Sequence, residues 1–193
     1  MADRRTALVA GVGLLAISTL AFFRVPILGA IGDDLALSAP QIGAITVLFA
    51  IGRLLADLPA GELADRVAPG RAYVLAGTAM AAGSGLVAVA GSAAVVWVGA
   101  FVVGAASSIA NTTGMTFFAR RAGRGSRGRS MAIFSSALLV GQSLGPMVSG
   151  LVAAATSWRG AMALAVGGGL AVAVACARLG GAAGGARADG GAA

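Results

Sequence analysis

Six long apolar runs dominate this sequence of 193 residues. A helix needs about 20 mostly apolar residues to cross the hydrocarbon core of a bilayer, and each run is close to that length. The predicted spans are 7–31, 41–61, 72–90, 95–118, 131–154 and 158–177. Because the apolar residues fall in separate segments, a single anchor on a water-soluble domain is excluded. The sequence therefore predicts an all-α integral membrane protein whose six-helix domain covers 7–178.

The two ends of the chain are predicted to lie outside this domain. Residues 1–6 form a short polar start with two arginines. Residues 179–193 are rich in glycine and alanine and offer little apolar side-chain area for ordering, so we expect a disordered tail.

The charge distribution predicts the orientation in the membrane. Only 11% of the residues are charged, whereas a soluble domain carries about 25%. The net charge of +7 comes with fourteen arginines that lie mostly at the ends of the apolar runs, which is the positive-inside pattern rather than a nucleic-acid surface. With the N-terminus inside, eleven arginines are cytoplasmic and only Arg159 is external. We predict a protein of the inner cell membrane with both termini cytoplasmic, whose partner is the lipid bilayer and not nucleic acid.

Most catalytic chemistry is excluded by residue type. The chain has no histidine, and its single cysteine, Cys176, lies inside an apolar run where it is interpreted as a small packing residue. Disulfides, thiolate metal sites and histidine-dependent triads are therefore excluded. We expect neither a cofactor nor a metal, and an enzyme is the least favoured class of function.

Charged residues inside a span cost about 2.5–3.5 kcal/mol each on insertion scales, so they usually face a cavity or a partner. Arg24 lies in the first span, and Pro26 after it can kink the helix and open it to water. The alternative is that Arg24 reaches the outer headgroups near Asp33 or Asp34.

A second charged pair, Arg53 and Asp57, shares one face of the second span because the two residues are four apart. Asp57 is a candidate for titrating a proton or contacting a cation in a cavity. The favoured alternative is a neutralising pair that eases insertion.

The fourth and fifth spans carry polar side chains of a different kind. Serine and threonine hydroxyls in the fourth span can bond to their own helix, so they are weak evidence for a site. The amides of Asn111 and Gln142 need partners beyond their own helices. The candidate pathway residues are Arg24, Arg53, Asp57, Asn111 and Gln142.

Two sequence stretches stand out as motifs. Gly61-Glu62-Leu63-Ala64-Asp65-Arg66, closed by Pro69-Gly70-Arg71, is predicted to be a charged cytoplasmic loop between the second and third spans. In the fifth span, Gly141 and Gly145 have small-xxx-small spacing, followed by Pro146 and Gly150, which allows another helix to approach closely.

The order of the spans also predicts internal symmetry. Spans one to three and spans four to six run in opposite directions, which is the topology of a 3+3 inverted repeat in secondary transporters.

These residues resemble the major facilitator superfamily of transporters. The family's loop between its second and third helices reads Gly-x-Leu-Ala-Asp-Arg-x-Gly-Arg-Arg, and the sequence matches at Gly61, Leu63, Ala64, Asp65 and Arg66, with Gly70 and Arg71 displaced by an insertion. The fifth-span glycines look like the family's antiporter motif, with Gly141, Gly145, Pro146 and Gly150 in place and Ala132 and Ser149 where glycine is usual.

The resemblance implies half of a twelve-span fold that moves a small solute by alternating access, and the antiporter motif implies efflux. Ala100 stands where the family usually has an arginine implicated in proton transfer. The resemblance also implies that Asp65 contacts a helix of an opposite half. We therefore expect pairing with a second six-helix half or a second copy, or else a truncated gene product. The alternative function is a non-transporting membrane fragment or interaction partner.

Overall fold

A computed structural model describes the backbone over residues 2–121 and 127–188, and the side chains over 7–120 and 128–178. The regular structure in these ranges is helical, without strands, which confirms the all-α prediction. The elements are α1 (Ala2–Ala21), a 3-10 turn (Val25–Ile27), α2 (Leu28–Asp34), α3 (Ala39–Arg66), α4 (Pro69–Ala88), α5 (Ala93–Arg121), α6 (Arg127–Ala155) and α7 (Trp158–Ala188).

Five stretches of the described chain are long and apolar enough to cross a membrane. They are Ala7–Asp34, Ala39–Arg66, Ala93–Arg120, Gly128–Ala155 and Trp158–Arg178. The remaining predicted span, α4, carries Arg71 and several small polar residues that lower its hydropathy. Its 20 residues still extend about 30 Å, the thickness of the hydrocarbon core. The fold is that of a multi-pass membrane protein.

The first span is interrupted where a kink was predicted. α1 ends at Ala21, and the chain passes through the 3-10 turn around Pro26 before α2 begins. Proline has no N–H and its ring collides with the carbonyl four residues earlier, so the α-helical pattern fails here. The backbone closes tighter turns instead, with the Val25 N–H donating to the Phe22 carbonyl at 3.1 Å.

The stretch predicted to be a loop between the second and third spans is mostly helical. Residues 61–66 are the last turns of α3, and only Val67 and Ala68 separate that helix from α4. The stretch is rich in good helix formers, so the helix continues beyond the predicted end of the apolar run. Pro69 opens α4 at a position where its missing N–H has no helical partner to lose.

The predicted ends of the chain also differ. α1 already begins at Ala2, and α7 continues to Ala188. Disorder of the tail stays a prediction. The last part of the predicted tail, 189–193, lies outside the described residues, as does Arg124 of the arginine-rich connection.

Glycines set the helix packing. α3 packs most extensively on α5, and α4 packs on α7 and α5. A methyl group at Gly52 would collide with the carbonyl of Phe101, and one at Gly104 would collide with the carbonyl of Phe49. The α3 and α5 backbones therefore lie in direct contact, as small residues permit between membrane helices.

The bundle covers α3 and α6 least. On α3, Leu54 is 69% and Leu58 85% exposed, and on α6 Leu151 is 67% exposed. By contrast, Tyr73 on α4 is fully buried, and its hydroxyl donates to the Ala110 carbonyl at 3.3 Å. α3 and α6 thus present apolar faces to whatever surrounds the bundle.

Candidate functional site

Phe49 on α3 lies between two arginines in the middle of the bundle. The guanidinium carbon of Arg24 lies 3.5 Å from the centroid of the Phe49 ring, and that of Arg53 lies 6.0 Å from it. Phe22 completes the group, 6.4 Å from Phe49 in an edge-to-face arrangement. Such cation–π contacts contribute about 0.5–2 kcal/mol, depending on desolvation.

Arg24 is only partly satisfied by hydrogen bonds. Its Nη1 donates to the Ala21 carbonyl at 2.7 Å, capping the end of α1. Its Nε is buried and has no acceptor among the described residues. Within the described side chains neither Asp33 nor Asp34 reaches Arg24, and Asp34 binds Arg159 instead. The alternative that Arg24 reaches the outer headgroups stays a prediction.

Asp57 accepts a hydrogen bond from the Ser108 hydroxyl across the α3–α5 contact. No ion pair joins it to Arg53 in the described part of the chain, and the idea that the two charges together ease insertion stays a prediction. Gly52 and Gly104 let the backbones of α3 and α5 approach closely. Asp57 and Ser108 lie about one turn further along these two helices, so they come into contact with each other. A Ser–Asp contact between helices replaces the expected contact along one helix.

The two amides predicted to face the pathway belong to α5 and α6. The Oδ1 of Asn111 is buried without a partner among the described residues. Gln142 on α6 is half-buried. Over the described side chains, neither amide is hydrogen-bonded to Arg24 or Arg53. The Ser107 hydroxyl donates to the Gly104 carbonyl of its own helix at 2.8 Å, as expected for a serine in a membrane span.

The loop motif of the sequence lies at one end of the bundle, which we call the charged end: the C-terminal turns of α3 and α5 and the first turn of α4. Here Arg120 donates to the Asp65 carboxylate at 2.6 Å, and Arg66 lies 3.6 Å from Glu62 along α3. About 60% of each side chain in the Asp65–Arg120 pair is exposed, so solvent screens it strongly.

The other motif residues surround this pair in different environments. Leu63 and Ala64 are half-buried, Gly61 has open space beside it, Gly70 is buried in the first turn of α4 and Arg71 is exposed.

A groove of about 380 Å³ opens beside the motif at the charged end. Its lining includes Asp65, Arg120, Thr113 and Thr116. The Thr113 hydroxyl is buried and finds no partner within the described residues. The groove thus combines an ion pair with an unsatisfied hydroxyl.

The fifth-span motif seats α6 on α1. A methyl group at Gly141 would lie 2.7 Å from the Leu15 carbonyl oxygen, and one at Gly145 would collide with the Thr19 carbonyl. Gly150 faces Pro26 with ordinary spacing, 3.8 Å. Pro146 stands inside α6 without ending it. At these glycines the helix that lies closest to α6 is α1.

A cluster at the opposite end of the bundle was not predicted as a site. Arg159 donates from Nη1 to the Asp34 carboxylate at 2.5 Å and from Nη2 to the Ala90 carbonyl at 3.0 Å, and it stacks on Trp158 at 4.2 Å. It joins α2, the α4–α5 connection and α7. The sequence signal was available, since Arg159 is the only arginine predicted on the outer side.

A comparison with family sequence models matches residues 11–184 to the Major Facilitator Superfamily. No curated protein matches the chain. The match covers nearly all of the helical bundle, including both motifs and the arginines around Phe49. The chain belongs to the Major Facilitator Superfamily.

Proposed function

We propose that this chain is a six-helix unit of a secondary transporter that exports a small solute by alternating access. The observation that carries the proposal is the pair of arginines around Phe49, which lies in the middle of helices long and apolar enough to span a membrane. Charge at that depth is costly and usually marks a solute pathway. Asp57, Asn111 and Gln142 are proposed to line the same pathway at other levels.

The proposed orientation places both termini in the cytoplasm of a cell with an inner membrane. The charged end then faces the cytoplasm, and Arg159 lies outside. The support is the arginine count, because positively charged segments resist translocation.

We also propose that the bundle is a 3+3 inverted repeat. A two-fold axis that exchanges the first three spans with the last three would exchange the α3–α5 contact with the α6–α1 contact. Both contacts are built on glycines that meet a neighbouring backbone, at Gly52 and Gly104 in one and at Gly141 and Gly145 in the other. The α4–α7 contact would map onto itself, and there Gly77 meets the carbonyl of Gly169 while Gly169 meets that of Gly77.

Alternating access requires a second bundle against which this one can rock. The apolar faces of α3 and α6 are proposed to receive it, either as another six-helix half or as a second copy. The groove beside Asp65 and Arg120 is proposed to contact this partner at the charged end. Efflux is favoured because the glycines that seat α6 on α1 follow the antiporter pattern of the family.

Transport by proteoliposomes would test the proposal. The purified full chain is reconstituted and loaded with a panel of radiolabelled solutes that includes organic anions, organic cations and neutral sugars. We expect saturable release of at least one solute, reduced in Arg53→Gln and retained in Arg178→Gln, which removes an exposed arginine at the end of the sixth span. The same preparation is crosslinked to measure self-association.

Two negative results together would contradict the proposal. If no solute shows saturable release and the chain stays monomeric, the transporter proposal fails, and the non-transporting membrane protein becomes the better interpretation.

A further inference from the structure

Among the side chains that the structure describes, Arg24 and Arg53 form a pair of positive charges without an ion-pair partner. Both side chains are half-buried, and both guanidinium carbons lie within 6.0 Å of the centroid of one ring. They share one ring, Phe49, which compensates only weakly for two charges at this depth. A buried charge is normally paired or solvated, so a bound anion would stabilise this arrangement.

The described carboxylates do not supply one. Five acidic side chains lie in the described part of the chain, and none of them lies within ion-pair distance of either arginine. Three are paired with other arginines, and a fourth, Asp57, keeps its charge while it accepts a hydrogen bond from a serine. The pairings are Asp34 with Arg159, Asp57 with Ser108, Glu62 with Arg66 and Asp65 with Arg120. The fifth, Asp33, is exposed and lies beyond ion-pair distance of both arginines within the described residues.

The depth of the pair fits a solute site. Arg53 lies near the middle of Ala39–Arg66, and Arg24 lies within about one turn of the middle of Ala7–Asp34. Substrate sites in secondary transporters lie near the bilayer midplane. Lipid headgroups lie at the membrane surface, about 15 Å away if the hydrocarbon core is about 30 Å thick.

The Arg24 side chain keeps hydrogen-bond donors for a ligand. A guanidinium group has five N–H donors. Arg24 uses one on the Ala21 carbonyl, the only hydrogen bond from this side chain within the described residues. The cavity on its inner side is about 10 Å³, room for a single water at most. A larger ligand must therefore approach from the exposed side of the pair.

We propose that Arg24 and Arg53 bind the oxyanion of the transported solute, a carboxylate or a phosphate, with Phe49 as the apolar surface beside it. This inference rests on the proposed transport function and names the class of its substrate. Arginine is suited to the task because it binds carboxylate and phosphate oxygens through two parallel N–H bonds.

Ligand binding tests this inference separately from transport. The full chain is purified in a maltoside detergent, which contains no phosphate or carboxylate, and its thermal unfolding is measured with sodium phosphate or sodium benzoate. Sodium chloride at equal ionic strength and neutral benzamide are the controls. We expect stabilisation by one of the oxyanions, which saturates with concentration, and none by benzamide.

Variants locate the site. Arg53→Gln and Arg24→Gln should weaken the apparent affinity about 10- to 100-fold, the range expected for losing a charged hydrogen bond. Arg53→Lys keeps the charge and should fold if Arg53→Gln does not, with an affinity between those of the wild type and the glutamine variant. Arg178→Gln should bind like the wild type.

Three results would overturn the inference. Equal stabilisation of wild type and Arg53→Lys by chloride and by the oxyanions would show general screening. Stabilisation by added phosphatidylglycerol alone, lost in the arginine variants, would assign the pair to a lipid headgroup. Saturable transport of a cation or neutral solute that oxyanions do not inhibit would leave the transport proposal intact and refute the anion site. Conversely, oxyanion binding in a chain that releases no solute would support the site and contradict transport.

Discussion

The carboxylate of Asp65 accepts a hydrogen bond from Arg120 at 2.6 Å, so the aspartate of the loop motif is held by the end of α5 in the same chain. The resemblance to the superfamily implied a contact between this aspartate and a helix of an opposite half, and that contact stays a prediction. The pair places the arginine-rich end of α5 against the end of α3, 55 residues earlier in the sequence.

This ion pair is expected to contribute little to stability. About 60% of each side chain is exposed, so a double-mutant cycle of Asp65→Asn and Arg120→Gln should give a coupling energy of about 0.2–1 kcal/mol, falling with added salt. The free energy of unfolding of the four proteins in detergent measures it. A coupling above about 2 kcal/mol that persists at high salt would contradict the exposed geometry.

The α3–α5 contact should not tolerate a methyl group. Gly52→Ala places a Cβ against the Phe101 carbonyl, so the two backbones must separate. The free energy of unfolding should fall by about 1–3 kcal/mol. Gly43→Ala on the same helix is the matched control, because a Cβ there meets open space. It should be neutral or stabilising by up to ~1 kcal/mol. Equal effects of the two substitutions on the melting temperature would mean that the contact is looser than described.

The contact between Ser108 and Asp57 should matter for both packing and flux. Ser108 is fully buried, so Ser108→Ala removes a hydrogen bond from Asp57 and should destabilise the protein by about 1–3 kcal/mol. Asp57→Asn retains an oxygen that accepts from Ser108 and should fold with smaller loss.

Flux separates the two roles of Asp57. If its carboxylate titrates during transport, Asp57→Asn abolishes the pH dependence of solute release from proteoliposomes. Unchanged pH dependence in a folded variant would leave Asp57 with only its contact to Ser108.

In the cluster around Arg159, replacing the arginine should destabilise the protein more than replacing its partner Asp34. Asp34→Asn removes a pair that is about half exposed, at a cost of up to ~1 kcal/mol. Arg159→Gln also loses the bond to the Ala90 carbonyl and the stacking on Trp158, so it should destabilise the protein more. Thermal unfolding of both variants checks the order. The reverse order would show that the ion pair dominates the cluster.

Several features of this fold follow from local sequence. Apolar runs of about 20 residues predict membrane helices wherever they occur, since unpaired backbone groups are not tolerated in lipid. Pro26 interrupts the first span because of its own ring and missing N–H, and Ser38 marks the start of α3, where its backbone N–H donates to Gln41 at 2.8 Å. The ends of α3 and α7 were missed, because hydropathy marks where a membrane ends and not where a helix does.

The partners of the charged side chains were decided by tertiary structure. Asp57 was expected to pair with Arg53 along one helix, yet it meets Ser108 because glycines bring α3 and α5 into backbone contact. Arg24, between α1 and the 3-10 turn, lies over Phe49 of α3, so this contact also joins segments that are far apart in the sequence. The sequence by itself determined which segments are helical and apolar, because those properties depend on residues near in the chain. Which charges meet depended on which helices lie side by side, and that was decided only when the bundle packed.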